Sequence, residues 1–242
     1  MYVGMPRLYP ILSGACGVLG SVRTLPLTAL LLLALAAPAS AAPVMDPLKP
    51  CYVSDGDLPE QRESVTVRAT GFTPAAHVYI LIDGAVVDTT GRADANGVVS
   101  GSFPAPFQGR GERLFTLGLQ EQENTQNFVQ ATAMVTNLSV TLRPNPARPS
   151  RKVRFSGRGF TKDAPVYGHY LFRGKVRKTV RFARRPAGTC GVFHSRRRQI
   201  PIRRPATGDW VLQVDQQRRY SAAPASNLQT VIIKVRETIK EP

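Results

Sequence analysis

Val65-Thr66-Val67-Arg68-Ala69-Thr70-Gly71-Phe72-Thr73-Pro74 and Val153-Arg154-Phe155-Ser156-Gly157-Arg158-Gly159-Phe160-Thr161-Lys162 are two versions of one phrase. Each reads as a short strand running into a turn, and Gly-Phe-Thr recurs after 88 residues. Ala-His-Val-Tyr follows the first copy and Ala-Pro-Val-Tyr the second. Each copy then continues into an apolar strand and a Gly turn, at 78–83 with Gly84 and at 166–173 with Gly174. A repeat longer than about 80 residues is a domain duplication, because solenoid units run to roughly 20–50. The phrase therefore predicts two related β-domains within the 242 residues.

Short β-branched apolar runs, with 20 Gly and 20 Pro between them, predict many strands joined by turns. In the first copy strands are expected at 51–53, 64–70, 77–82, 85–89, 98–103, 113–119 and 128–135. In the second they are expected at 138–142, 152–156, 166–173, 176–183, 192–198, 210–215 and 229–236. Asp83-Gly84 and Asp94-Ala95-Asn96-Gly97 read as hairpin turns, because Gly relieves the positive φ a tight loop demands. Little helical periodicity is present. The fold class expected is all-β: two tandem β-sandwiches of about seven strands each. Trp210, the sole Trp, sits in a late apolar strand and is expected in the core.

Residues 25–37 form an apolar run of 13, too short for a membrane span of about 20 residues and suited to a signal-peptide core. Arg23 precedes it and Pro38-Ala39-Ser40-Ala41 follows, with small residues at the −3 and −1 positions for cleavage after Ala41. The expected organisation is a signal peptide at 1–41, with a compact leader if translation starts at Val22. A domain at 42–137 follows, entered through a Pro-rich tether at 42–50, and then a domain at 138–242. The two copies abut at 137–138 without a linker, which limits their freedom to swing. The chain ends Lys240-Glu241-Pro242 without an apolar or sorting-type tail, so release or non-covalent retention at the envelope is expected.

Val-x-Val-x-x-x-Gly-Phe-Thr-Pro at 65–74, then an apolar strand, Asp83-Gly84, a Thr-rich turn and Asp94-Ala95-x-Gly97, resembles bacterial secreted Ig-like domains of the TIG and related types. The resemblance covers the first copy well and the second partly. It implies a spacer, an adhesion module or a carbohydrate-associated module of a cell-surface protein, and carries over no binding residues.

The formal charge of +16 is unevenly spread. Residues 42–140 hold 6 Lys and Arg against 11 Asp and Glu, net −5, whereas 141–242 hold 24 against 5, net +19. Such polarity draws the second half towards anionic surfaces, or towards the acidic half of another copy. The expected anion-binding residues are Arg173, Lys175, Arg177, Arg181, Arg196 and Arg198, since a row of guanidinium groups takes phosphate or carboxylate bidentately. A solvated basic face without a dedicated ligand is the competing reading. Anionic envelope polymer and acidic glycan are the expected partners, with weak self-association as a further option. Export excludes a gene-regulatory role on nucleic acid.

Cys51 and Cys190 are the cysteines of the exported part, one per copy. An even pair in an oxidising compartment predicts an intramolecular disulfide, with free thiols or an intermolecular bridge as alternatives. His77, His169 and His194 have no metal-ligand spacing, and Asp94 with Asn96 lacks the further oxygens of a calcium loop. No nucleophile elbow, phosphate loop or dinucleotide fingerprint occurs. No catalytic residue, metal or cofactor is expected. The function expected is a non-enzymatic binding or structural module of the cell envelope. Its rivals are an extracellular hydrolase (or its accessory domain) and a self-assembling surface protein.

Overall fold

A computed structural model describes residues 42–222 and 228–236. The leader at 1–41, the start at Val22 and the tail from 237 lie outside the described residues. Among the described residues no helix is long and apolar enough to cross a membrane.

The first half contains β1 (Val44–Met45), β2 (Cys51–Ser54), β3 (Ser64–Thr70), β4 (His77–Ile82), β5 (Ala85–Arg92), β6 (Val99–Pro104), β7 (Glu112–Glu121) and β8 (Phe128–Asn137). A short 3-10 turn, Pro59–Gln61, interrupts the loop between β2 and β3. One sheet has the order β1-β3-β6 and the other β2-β8-β7-β4-β5. Period-2 alternation aims Val65, Val67 and Ala69 of β3 at Phe115, Leu117 and Leu119 of β7, and these close a single buried cluster. The expected tether is corrected here. Val44 and Met45 pair with Thr70 and Ala69, so part of 42–50 is an edge strand. A two-residue strand leaves no apolar run to find.

The second half contains β9 (Ser139–Arg143), β10 (Lys152–Arg158), β11 (Val166–Phe172), β12 (Lys175–Ala183), β13 (Phe193–Arg198), β14 (Gly208–Asp215) and β15 (Gln229–Val235). Its sheets have the orders β13-β10-β9 and β12-β11-β14-β15. Their inner faces bury Phe155, Phe160, Tyr170, Phe182 and Leu212 in a second cluster. Phe155 stacks on Phe182 at 4.7 Å and Phe172 on Trp210 at 5.0 Å, while the Trp210 indole donates to the Ala206 carbonyl at 3.0 Å. Trp210 is thus the core residue expected.

The repeated phrase has a physical basis that extends beyond its own residues. Phe72 and Phe160 are both buried. The Phe72 amide donates to the Gly97 carbonyl and the Phe160 amide to the Gly191 carbonyl, each at 3.2 Å. Gly97 and Gly191 have φ of 71° and 63°, and a Cβ on either would lie 2.2 or 2.0 Å from the carbonyl oxygen of that Phe. Only glycine fits both the backbone conformation and the close approach. The hairpins that follow also match: Asp83-Gly84 and Arg173-Gly174 each hold two consecutive positive φ values, as a type I′ turn requires.

The halves are joined by more than the single residue Leu138 between β8 and β9. Cys51 and Cys190 form a disulfide with a Cα separation of 5.3 Å, so the intramolecular alternative holds. Val53 of β2 packs into the second cluster. The Lys49 ammonium binds Glu63 at 2.6 Å and donates to the Thr161 hydroxyl at 3.1 Å.

Candidate anion-binding face

β10 lies between β9 and β13 in a three-stranded sheet. Its inward residues Val153 and Phe155 are buried, so Lys152, Arg154 and Ser156 point to solvent. The antiparallel register places Arg143 and Arg196 opposite Arg154, one on each side. Arg198 lies opposite Lys152 in the next outward row. Neighbouring strands are about 4.8 Å apart, so the three Arg stems span about 10 Å across the sheet.

Like charges directly opposite one another oppose folding. None of Arg143, Lys152, Arg154, Arg196 and Arg198 forms an ion pair among the described residues. Arg143, Arg151, Lys152, Arg154 and Arg196 line a groove of about 360 Å3. A second groove, of about 420 Å3, begins at Arg143 and Arg158 and reaches Arg110 of the first half. In the wall of this second groove the His194 ring meets the Ser156 hydroxyl at 3.0 Å. Chemically, the face offers several fork-shaped donors without acids of their own, a surface suited to phosphate or carboxylate groups.

The six expected residues do not form one surface. Arg196 and Arg198 belong to the face just described. Arg181 pairs with Tyr167 on the other sheet, on its outer side, so it faces away from Arg196. A bulge between Tyr170 and Leu171 sets Lys178 opposite Tyr170 and Val176 opposite Leu171, leaving Arg177 as the extra residue. The bulge reverses the alternation, so Lys175, opposite the core residue Phe172, does not share a face with Thr179 and Arg181. Arg173 occupies the hairpin turn with its guanidinium 5.3 Å above the Phe172 ring. Arg143, Lys152 and Arg154 were not expected. The alternation Lys152-Val153-Arg154-Phe155 announces their exposure, but only the β9-β10-β13 order brings them to Arg196.

A buried polar network lies behind β12. His169 and Asp215 are both fully buried. His169 Nε2 faces the Gln217 carbonyl at 3.1 Å and Asp215 Oδ1 at 3.4 Å, two acceptors, so it carries a proton; Nδ1 meets the Thr179 hydroxyl at 2.9 Å. Gln213 and the Gln217 amide also donate to Asp215. Burial pushes the Asp215 carboxyl up, but the bonds from His169, Gln213 and Gln217 outweigh it and hold it below its ordinary value. Hydroxyl, imidazole and carboxylate stand here in the order used by nucleophilic catalysis. His169 and Asp215 each bond the backbone of Gln217, which ties it to the sheet. His77 and His194 are exposed on their strands. Among the described residues no three His, Cys, Asp or Glu are grouped as for a metal ion.

At the level of class, the chain is an Ig-like β-sandwich protein, with A-, B- and E-type strands in one sheet and C′-, C-, F- and G-type strands in the other. No family model and no curated protein matches it in sequence. Among solved structures it is similar to bovine butyrophilin, at 10% identity and a TM-score of 0.28, over 81% of this chain and 100% of that one. It is also similar to a Corynebacterium diphtheriae protein described as membrane-anchored, at 12% identity and a TM-score of 0.31, over 82% of this chain and 58% of that one. Latent PorU from Porphyromonas gingivalis matches at 14% identity and a TM-score of 0.29, over 85% of this chain and 21% of that one.

Proposed function

We propose that the chain is an exported, non-enzymatic binding module of the cell envelope, built of two Ig-like domains meeting at 137–138. Its basic half holds an anionic polymer on the outer face of β9, β10 and β13. The observation that carries this reading is the Arg143–Arg154–Arg196 row. Three guanidinium groups stand side by side on adjacent strands with no acid paired to any of them among the described residues. Such a row opposes folding, and a polyanion lying across it would relieve the repulsion. Export is supported by the Cys51–Cys190 disulfide, a bond that persists in oxidising compartments.

The experiment is binding of the protein to polyuronate and to polyphosphate at low salt, beside the Arg154→Glu/Arg196→Glu variant. Binding that is lost in the variant supports the reading. Equal binding by both proteins, or none by either, sinks it.

A further inference from the structure

β10 carries the basic face towards the first half of the chain. Arg154, Ser156 and Arg158 alternate along it with the buried Val153, Phe155 and Gly157, so all three stand on the outer side of the sheet. Outward residues on one strand lie about 6.7 Å apart, which puts the Arg158 stem about 13 Å beyond that of Arg154. Between them the register aligns Thr141, Ser156 and His194 across the three strands.

Arg158 ends at the junction of the halves. Its Nη1 would lie 3.8 Å from a Cβ placed on Gly111. Gly111 is held there by its neighbours: its amide donates to Asn137 Oδ1 at 2.9 Å and its carbonyl accepts from the Asn137 amide at 3.2 Å. The groove of about 420 Å3 at this point takes Arg110 from the first half and Arg143 and Arg158 from the second. Domain junctions are a favoured place for ligand sites, and the volume is within their range. Among the described residues no Asp or Glu lines the groove, and none of its three arginines forms an ion pair. Arg110, Thr141, Arg143 and His194 are exposed, and Ser156 and Arg158 half-buried, so a ligand in the groove reaches them. Arg110 is thus a cation of the acidic half set beside the basic face.

We infer that a single polyanion chain crosses this junction and is held by both halves. Arg143, Arg154 and Arg196 take its charges at one point, and Arg158 with Arg110 takes them about 13 Å further on. The Thr141 and Ser156 hydroxyls hydrogen-bond the oxygens between. This rests on the proposed function and extends its site into the first half. The ligand class is a linear polymer of phosphate or carboxylate groups, because one chain that engages both sets of arginines gains affinity from the linkage itself. An isolated phosphate or sugar acid engages one set alone.

The test measures dissociation constants and their salt dependence for long-chain polyphosphate and polygalacturonate. Arg110→Glu is compared with Arg68→Glu, which makes the same charge change in the same half on β3, outside the groove. Arg110→Glu is expected to weaken binding about tenfold, the worth of one charged hydrogen bond, and to lower the slope of log affinity against log salt by about one. Arg68→Glu is expected to bind as wild type. Loss with polyphosphate alone assigns a phosphate ligand, loss with polygalacturonate alone a carboxylate, and loss with both a site for the oxyanion they share. Equal effects of Arg110→Glu and Arg68→Glu, with binding lost in Arg154→Glu/Arg196→Glu, overturn the junction site and leave the Arg row standing. Loss in Arg110→Glu with binding intact in Arg154→Glu/Arg196→Glu overturns the shared path. No binding of either polymer by wild type overturns both readings.

Discussion

Arg154 and Arg196 face each other directly across β10 and β13, both on the solvent side of their sheet. Replacing Arg154 with Thr removes a like-charge opposition and installs a residue favoured in strands. The variant is expected to gain about 0.2–1 kcal/mol in denaturant melts at low salt and to bind polyanion more weakly. A loss in both would mean that Arg154 is structural.

The Cys51–Cys190 bond closes a loop of 139 residues. On the chain-entropy model its removal costs about 5 kcal/mol. Cys51→Ser/Cys190→Ser is expected to fall by that order in chemical unfolding. Wild type under reducing conditions should fall equally.

The Tyr170 hydroxyl is buried without a partner among the described residues, and burial pushes its pKa up. Tyr170→Phe deletes an unsatisfied oxygen and leaves the ring packed. Thermal melts are expected to show unchanged or higher stability, by up to about 1–3 kcal/mol. A clear loss would reveal a hydrogen bond made in solution.

The Asp215 carboxyl sits below its ordinary value through bonds from His169, Gln213 and Gln217. A depressed folded pKa contributes stability that is fully present above the unfolded value of about 4. That stability is lost as pH falls through the lower folded value. Asp215→Asn is expected to cost about 1–3 kcal/mol at pH 7 and to show a shallower decline below pH 4 than wild type. Parallel declines would contradict the depressed value.

Gly97→Ala and Gly191→Ala each place a Cβ against a Phe carbonyl at a positive φ. Each is expected to destabilise by more than about 1 kcal/mol, and equally in kind, because the two turns are equivalent. A neutral result at either position would separate the two copies.

The strands were legible in the sequence wherever apolar residues alternate over five or more positions. Ser64–Thr70 and His77–Ile82 were read at the bounds observed. Val44–Met45 was not, because two residues carry no period. The Gly-Phe-Thr phrase is legible twice in the sequence, but its partners Gly97 and Gly191 lie in unlike contexts and surface only through the backbone bonds to Phe72 and Phe160. The basic face was half legible. Charge localised it to the second half, yet a bulge at Arg177 broke the expected row, and sheet order made a different one. Neither a bulge nor the pairing of β13 with β10 leaves a mark on local composition.

The proposed function has a polyanion lying across Arg143, Arg154 and Arg196. Its most direct test is the dependence of polyanion affinity on salt for wild type, Arg154→Glu/Arg196→Glu and Arg177→Glu/Arg181→Glu. Each cation that neutralises a ligand charge adds about one to the slope of log affinity against log salt. A steep slope is expected for wild type, a slope lower by about two for Arg154→Glu/Arg196→Glu, and little change for Arg177→Glu/Arg181→Glu. Equal losses in both pairs would mean that net charge alone holds the polymer, and would contradict a built site on this face.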